Sequence, residues 1–215
     1  MTIAPTVLEV LAGLEERSRR ERPELDALNA QGAGATRAAA PRLMLDVGPD
    51  VGRLLNLTAR LLGARRILEI GGSTGYSTVW LAEAAAATGG LVTSVELDPE
   101  KSKEQRRHLE AAGLLDHVEL LVGDAHELCA DLEPGVDLVL IDHWKDVYVR
   151  EFDLVWPKVR TGGVVVADNI LQPEATIAQM QAYVAHVRAA QGALSYTIDV
   201  GDGVEMTLRT EAAGG

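Results

Sequence analysis

Five short aliphatic runs, each followed by a helical stretch, leave this chain little choice of architecture. They are Arg66 to Ile70, Leu91 to Glu96, His117 to Val122, Val136 to Ile141 and Val164 to Ala167. Runs of β-branched and aliphatic residues bounded by glycine and turn residues read as strands buried on both faces. The stretches from Tyr76 to Ala87, Pro99 to Ala112, Ala125 to Leu132, Val147 to Val159 and Glu174 to Ala190 read as the helices that follow them. Pro99 suits a first helical turn, where a missing N–H costs little, and Asp98 is placed to cap it. Strand–helix repeats build a parallel sheet with helices on both faces, an α/β fold. The end of the chain differs. Leu194 to Asp199 and Val204 to Arg209 flank Gly201-Asp202-Gly203, a hairpin signal that adds an antiparallel strand.

Ahead of the repeats, Val7, Leu8, Leu11 and Leu14 have helical spacing and mark a helix to about Arg20. Glu24 to Asn29 reads as a second short helix, Gln31 to Ala35 as a flexible link, and Asp50 to Leu62 as a further helix. The chain thus divides into an N-terminal helical extension (1–44), a single globular α/β domain (45–210) and a frayed tail (211–215). The extension is placed either to cover a site on the sheet or to form a homodimer contact.

The 215 residues suffice for a substantial core, and 47% hydrophobic with 24% charged residues is ordinary for a soluble domain. A net charge of −12 opposes a phosphate backbone, so nucleic acid is not an expected partner. No stretch approaches a membrane span, and the N-terminus lacks the basic start and apolar core of a secretory signal. The single cysteine, Cys129, cannot form an intrachain disulfide and reads as buried filler. These features together point to a cytoplasmic protein.

The strand ends carry the chemistry. Ile141-Asp142-His143-Trp144-Lys145-Asp146 and Val166-Ala167-Asp168-Asn169 each follow a buried run. Open α/β sheets bind ligands at the carboxyl ends of their strands. Asp142, Asp168 and Asn169 would bring three hard oxygens to one point, which suits Mg²⁺. Lys145, three residues beyond the first of them, can reach a metal-bound substrate. Two strand-end acids acting as helix caps and a solvated loop lysine are the plainer alternative. On the other half of the sheet, Glu69-Ile70-Gly71-Gly72-Ser73-Thr74-Gly75-Tyr76-Ser77 follows the first strand, where glycine lets a ligand approach the backbone. Glu96 ends the second strand and could accept two ribose hydroxyls. Ser73 stands where a dinucleotide fingerprint needs its second glycine. Asp124 either caps the next helix or faces a ligand.

The Asp-His-Trp-Lys-Asp string and the later Ala-Asp-Asn resemble the catechol O-methyltransferase family over roughly Leu45 to Arg209. The resemblance implies a Rossmann-like sheet of seven strands in the order 3-2-1-4-5-7-6, the seventh antiparallel. It implies S-adenosylmethionine (SAM) and Mg²⁺ as cofactors and a vicinal dihydroxyaromatic as the small-molecule acceptor. It assigns Glu69, Gly71, Ser73 and Ser77 to the methionine end of SAM and Glu96 to the ribose. Val47 would lie over the cofactor, Asp124 and Ala125 would meet the adenine, and Asp142 would serve both cofactor and metal. Asp142, Asp168 and Asn169 become metal ligands, and Lys145 the catalytic base. Trp144, Lys145, Asn169 and Pro173 would contact the substrate, with Trp144 and Pro173 flanking its ring.

Two positions and the ending of the chain set it apart from the animal catechol enzymes. Leu43 replaces a gate tryptophan, and Tyr196 falls near where those enzymes place a glutamate against the free hydroxyl. The ending Val200-Gly201-Asp202-Gly203-Val204 is similar to the caffeoyl-CoA type instead. His143 is expected to pack behind the loop. Two competing classes are an NAD-dependent oxidoreductase on a similar sheet and a catalytically silent SAM-binding protein. The Ser73 substitution opposes the first, and the complete oxygen set with Lys145 opposes the second.

Overall fold

A computed structural model describes residues 3–211, so most of the expected frayed tail lies outside the described residues. The N-terminal segment forms α1 (Pro5–Gln31), α2 (Ala33–Ala39) and α3 (Gly48–Leu62). The repeats follow as β1 (Arg66–Ile70), α4 (Tyr76–Thr88), β2 (Leu91–Glu96), α5 (Pro99–Ala112), β3 (Val118–Val122), α6 (Ala125–Leu128) and β4 (Val136–Ile141). Then come α7 (Tyr148–Val155), β5 (Val159–Ala167), α8 (Ile177–Ala189), β6 (Ala193–Ile198) and β7 (Val204–Arg209). The strands form one sheet in the order β3-β2-β1-β4-β5-β7-β6. Pairings among β1 to β5 are parallel, and β7 runs antiparallel to both β5 and β6. No helix among the described residues is long and apolar enough to cross a membrane.

Alternation along the central strands feeds two cores. Ile67, Leu138, Leu140, Val164 and Val166 pack with Val51, Leu55, Val79 and Leu109 on one face. Leu68, Ile70, Val139, Ile141 and Val165 pack with Tyr148, Phe152, Met180 and Tyr183 on the other. Both faces are therefore covered, as a parallel sheet requires. Val7, Leu11 and Leu14 seat α1 on the first core, which fixes the extension against the domain.

Several elements differ from expectation, each for a local reason. The two expected N-terminal helices are one, and α1 runs through Pro23. An interior proline forfeits a helical hydrogen bond. Here the preceding turn is held from outside: Arg17 pairs with Glu21 at 2.6 Å and with Glu104 at 2.8 Å, and Glu21 accepts the Met44 N–H at 2.7 Å. The expected flexible link contains the Gly32 break (φ 109°) and then the start of α2. The expected helix from Ala125 to Leu132 stops at Leu128: beyond it the Ala130 and Leu132 N–H groups bond three residues back, to Glu127 and Cys129, and Lys158 Nζ also donates to the carbonyls of Cys129 and Ala130. β5 begins at Val159, five residues earlier than the aliphatic run suggests, with a register shift opposite Val136 and Leu138. β3 begins one residue later than expected, after a single turn at Leu115–His117.

The strand order reverses between β1 and β4, and such a switch point is where open sheets bind ligands. At the opposite end of the same two strands, Asp137 locks them together. Its carboxylate accepts the Arg65 and Arg66 N–H groups, each at 2.8 Å, and the Arg160 guanidinium. Burial opposes ionisation, but the Arg160 bond and the two backbone N–H groups outweigh it and hold the Asp137 pKa below the usual 3.8. A depressed carboxylate stabilises the fold above its unfolded pKa and loses that contribution as pH falls through its folded value. Asp137→Ala should lower the unfolding free energy by about 1–3 kcal/mol at neutral pH by leaving two partly buried backbone donors and Arg160 without their acceptor. In urea titrations the gap from wild type should close as pH falls below the usual carboxylate value of 3.8.

Candidate active site

Three loops leave the carboxyl ends of β1, β4 and β5 side by side, and backbone bonds continue the sheet into them. The Asp142 N–H reaches Ile70 O at 2.9 Å, the Asp168 N–H reaches Ile141 O at 3.2 Å, and the Gly71 N–H reaches Val95 O at 2.9 Å. The loops touch closely at Gly71, where a Cβ would fall 1.9 Å from the Asp142 carbonyl oxygen and φ is 97°. Only glycine fits such an approach.

At the β4 and β5 tips the structure brings Asp142, Lys145 and Asn169 together. Lys145 Nζ donates to Asn169 Oδ1 at 2.7 Å, to Tyr148 Oη at 2.6 Å and to Asp142 Oδ1 at 3.3 Å. Tyr148, fully buried, donates in turn to the Asp168 carbonyl at 3.1 Å. Its hydroxyl hydrogen is thus committed, and its oxygen is left to accept from the lysine. Asp168 is 1% exposed and its Oδ1 has no hydrogen-bond partner. Burial, then the nearby Asp142 charge, drives its pKa well above the usual value, with Lys145 pulling the other way. Asn169 is a non-glycine residue at φ 58°, and its Nδ2 lies 3.4 Å from Asp202 Oδ2.

An unpaired, buried carboxylate oxygen beside a second carboxylate and an amide oxygen fits a hard divalent cation. The Lys145 ammonium already supplies one positive charge there. Two carboxylates and one amide fall short of three His, Cys, Asp or Glu, and no such triple that could hold a metal occurs among the described residues.

On the β1–β3 side, Glu96 Oε2 accepts the Ser73 N–H at 2.7 Å and Oε1 accepts the Asp98 N–H at 2.9 Å. Each oxygen keeps a lone pair for a ligand hydroxyl. Ser73, at φ 46°, donates its Oγ–H to Met44 O. Glu69 lies deeper than its neighbours: it is 0% exposed, and Ser77, Thr78 and Ser94 donate to it. Burial raises its pKa against those three hydroxyls. Val47 is buried at the start of α3. Asp124 caps α6, accepting the His126 N–H at 2.8 Å, and Ala125 is the first residue of that helix.

Around the acceptor side, Trp144 is half-buried under Arg37, whose guanidinium sits 4.7 Å from the ring centroid. Arg37 also pairs with Asp146 through both terminal nitrogens, at 2.9 and 3.3 Å, so α2 clamps the Lys145 loop. Pro173 is half-buried on the loop between β5 and α8. His143 packs edge-on to Tyr148, and burial, then Lys145, lowers its pKa to about 4. Tyr196 is 73% exposed on β6. The acid beside Asn169 is instead Asp202 of the hairpin turn. Arg37, Tyr148 and Asp202 went unnoticed as site residues in the sequence. For Asp202 the Gly-Asp-Gly turn was visible, but not the register that brings it beside Asn169.

A family model described as a methyltransferase domain matches residues 68–170. The catechol O-methyltransferase of Mycobacterium tuberculosis strain H37Rv is 37% identical over 154 residues, 71% of this chain and 69% of that protein. The catechol O-methyltransferase of Niastella koreensis is 35% identical over 153 residues, 69% of this chain and 68% of that protein. Among solved structures, the O-methyltransferase TomG from Streptomyces achromogenes, involved in tomaymycin synthesis and in complex with SAM, superposes with a TM-score of 0.70 at 30% identity, covering 80% of this chain and 87% of that one.

The loop contact at Gly71 has a direct test. Gly71→Ala must separate the β1 and β4 loops or force φ out of its present range, so it should cost about 2–4 kcal/mol in urea unfolding. It should also abolish calorimetric binding of S-adenosylhomocysteine (SAH).

Proposed function

The chain belongs to the catechol O-methyltransferase family of SAM-dependent enzymes, and on that premise we propose that it methylates one hydroxyl of a vicinal dihydroxyaromatic held beside Mg²⁺. The oxygen set at the β4 and β5 tips carries this proposal: Asp142 and Asn169 already share a cation, and Asp168 holds a buried oxygen without a partner. Asp142, Asp168 and Asn169 would hold the metal. Mg²⁺, when bound, lowers the pKa of a hydroxyl that it chelates and fixes its direction.

Every other part falls to the chain's own side chains. Lys145, once its ammonium has released a proton to solvent, takes the hydroxyl proton as a neutral amine, with Tyr148 and Asn169 setting the direction of its Nζ. Trp144 and Pro173 flank the aromatic ring, and Arg37 stiffens the first of them. Asp202 stands beside Asn169 as the acid for the hydroxyl that keeps its proton. On the donor side, Gly71, Ser73 and Ser77 shape the methionine end, with Glu69 holding Ser77 from behind. Glu96 offers its two free lone pairs to the ribose, Val47 covers the cofactor, Asp124 and Ala125 border the adenine, and Asp142 reaches both halves. Methyl transfer is an in-line displacement, and holding donor and acceptor aligned can contribute roughly 7–11 kcal/mol. Simple catechols, phenylpropanoids and flavonoids all carry such a diol.

Radiolabelled methyl transfer from SAM to a panel of catechols, with and without EDTA, tests the assignment. Activity should vanish on chelation and return with MgCl₂; transfer that survives complete chelation removes the metal from the reaction. MgCl₂ should raise the melting temperature of wild type but not of Asp168→Ala, since only a bound ligand shifts it by mass action. Lys145→Ala should cut kcat by about 10²–10⁴, the usual range for a lost general base, with SAH affinity retained. Wild-type turnover in that variant would remove Lys145 from the chemistry.

A further inference from the structure

Lys101 has no part in the roles assigned above. It lies in the first turns of α5, is only 7% exposed, and directs its ammonium to the Ser73 turn. Lysine is almost never buried unless paired, yet no carboxylate among the described residues lies within ion-pair distance of it. Its hydrogen bond is to Ser73 Oγ, at 3.2 Å. Burial pushes its pKa below the usual lysine range, and attraction to Glu96, then Asp98, pulls against that.

Ser73 is where such a cation has something to do. A serine at φ 46° is strained, and strained backbone persists only where its surroundings over-determine it. Three groups hold this one. Its N–H goes to Glu96, its Oγ–H goes to Met44 O, and the Lys101 ammonium caps the same Oγ. Met44 is in turn tied by its N–H to Glu21 of α1. The ammonium therefore holds the Oγ side of a turn whose N–H orients the Glu96 carboxylate.

We propose that Lys101 is a positioning residue of the SAM site, holding the Ser73 turn against Glu96 so that the carboxylate faces the vicinal diol of the nucleoside. This rests on the reading of Ser73 and Glu96 as cofactor contacts. An ordinary packing role, with the stem merely filling space beneath α5, would leave cofactor affinity independent of the charge and uncoupled from Glu96.

Calorimetry with SAH, on the full chain, separates the two. Lys101→Met should weaken SAH about tenfold, and Lys101→Arg should restore most of that loss. In a Glu96→Gln background the Lys101→Met substitution should have little further effect, a coupling of about tenfold. Effects that simply multiply, or wild-type affinity in Lys101→Met, overturn the proposal. Should Lys101→Met lose its cooperative thermal transition, Lys101→Gln against Lys101→Arg makes the same comparison. Glu96→Gln alone with wild-type SAH affinity would overturn the ribose assignment of Glu96, and the role of Lys101 with it. Loss of SAH affinity in Glu96→Gln with no coupling to Lys101 overturns the role of Lys101 alone.

Discussion

Like charge at the switch point governs this molecule. β4 and β5 deliver Asp142 and Asp168 to adjacent tips, and the second is sealed from water. A buried carboxylate with an open lone pair is costly unless a cation compensates it. Lys145 meets part of that need by lying across Asp142 and Asn169, and Tyr148 keeps it there. The packing around the pair follows from this demand. Tyr148 is buried to the hydroxyl, His143 is pressed edge-on against it, and burial beside Lys145 disfavours a proton on His143. A second positive charge on His143 would be repelled by the lysine.

The parallel sheet, its helices and the closing hairpin were legible because each rests on local pattern: aliphatic runs, a Pro99 start with its Asp98 cap, an Asp-Gly turn. The strand-end placement of Asp142 and Asp168 was legible for the same reason, since each sits directly after such a run. The rest depended on partners distant in sequence. Pro23 argues for a break that Glu104 and Met44, holding Arg17 and Glu21 from outside the helix, prevent. Lys158 reaches the carbonyls past the end of α6 from 28 residues away. Arg37 reaches Asp146 across 109 positions, and nothing in either neighbourhood announces the other. Tyr196 was placed near the site by alignment with a glutamate, while the hairpin register puts Asp202 there and leaves Tyr196 on the outer strand.

The N-terminal extension is wired into both halves of the site. α1 binds the donor side through Glu21 and Met44, and α2 grips the acceptor loop through Arg37. Arg22 of α1 adds a longer contact to Asp202, at 3.8 Å. One continuous segment thus contacts the loops that follow β1 and β4, and the burial of Val7, Leu11 and Leu14 keeps it registered on the core.

The hairpin turn has its own consequence for how a chain of this design can diversify. The N–H groups of Leu171 and Gln172 both close on the Asp202 carbonyl, and that of Ile170 on Gly203, while a Cβ at Gly203 would fall 2.4 Å from Leu171. Lengthening this turn would pull the segment after β5 with it and dislodge Asn169. Change in this part of the molecule is therefore channelled away from the hairpin and onto α2 and the Trp144 rim, which make no hydrogen bond to Asn169.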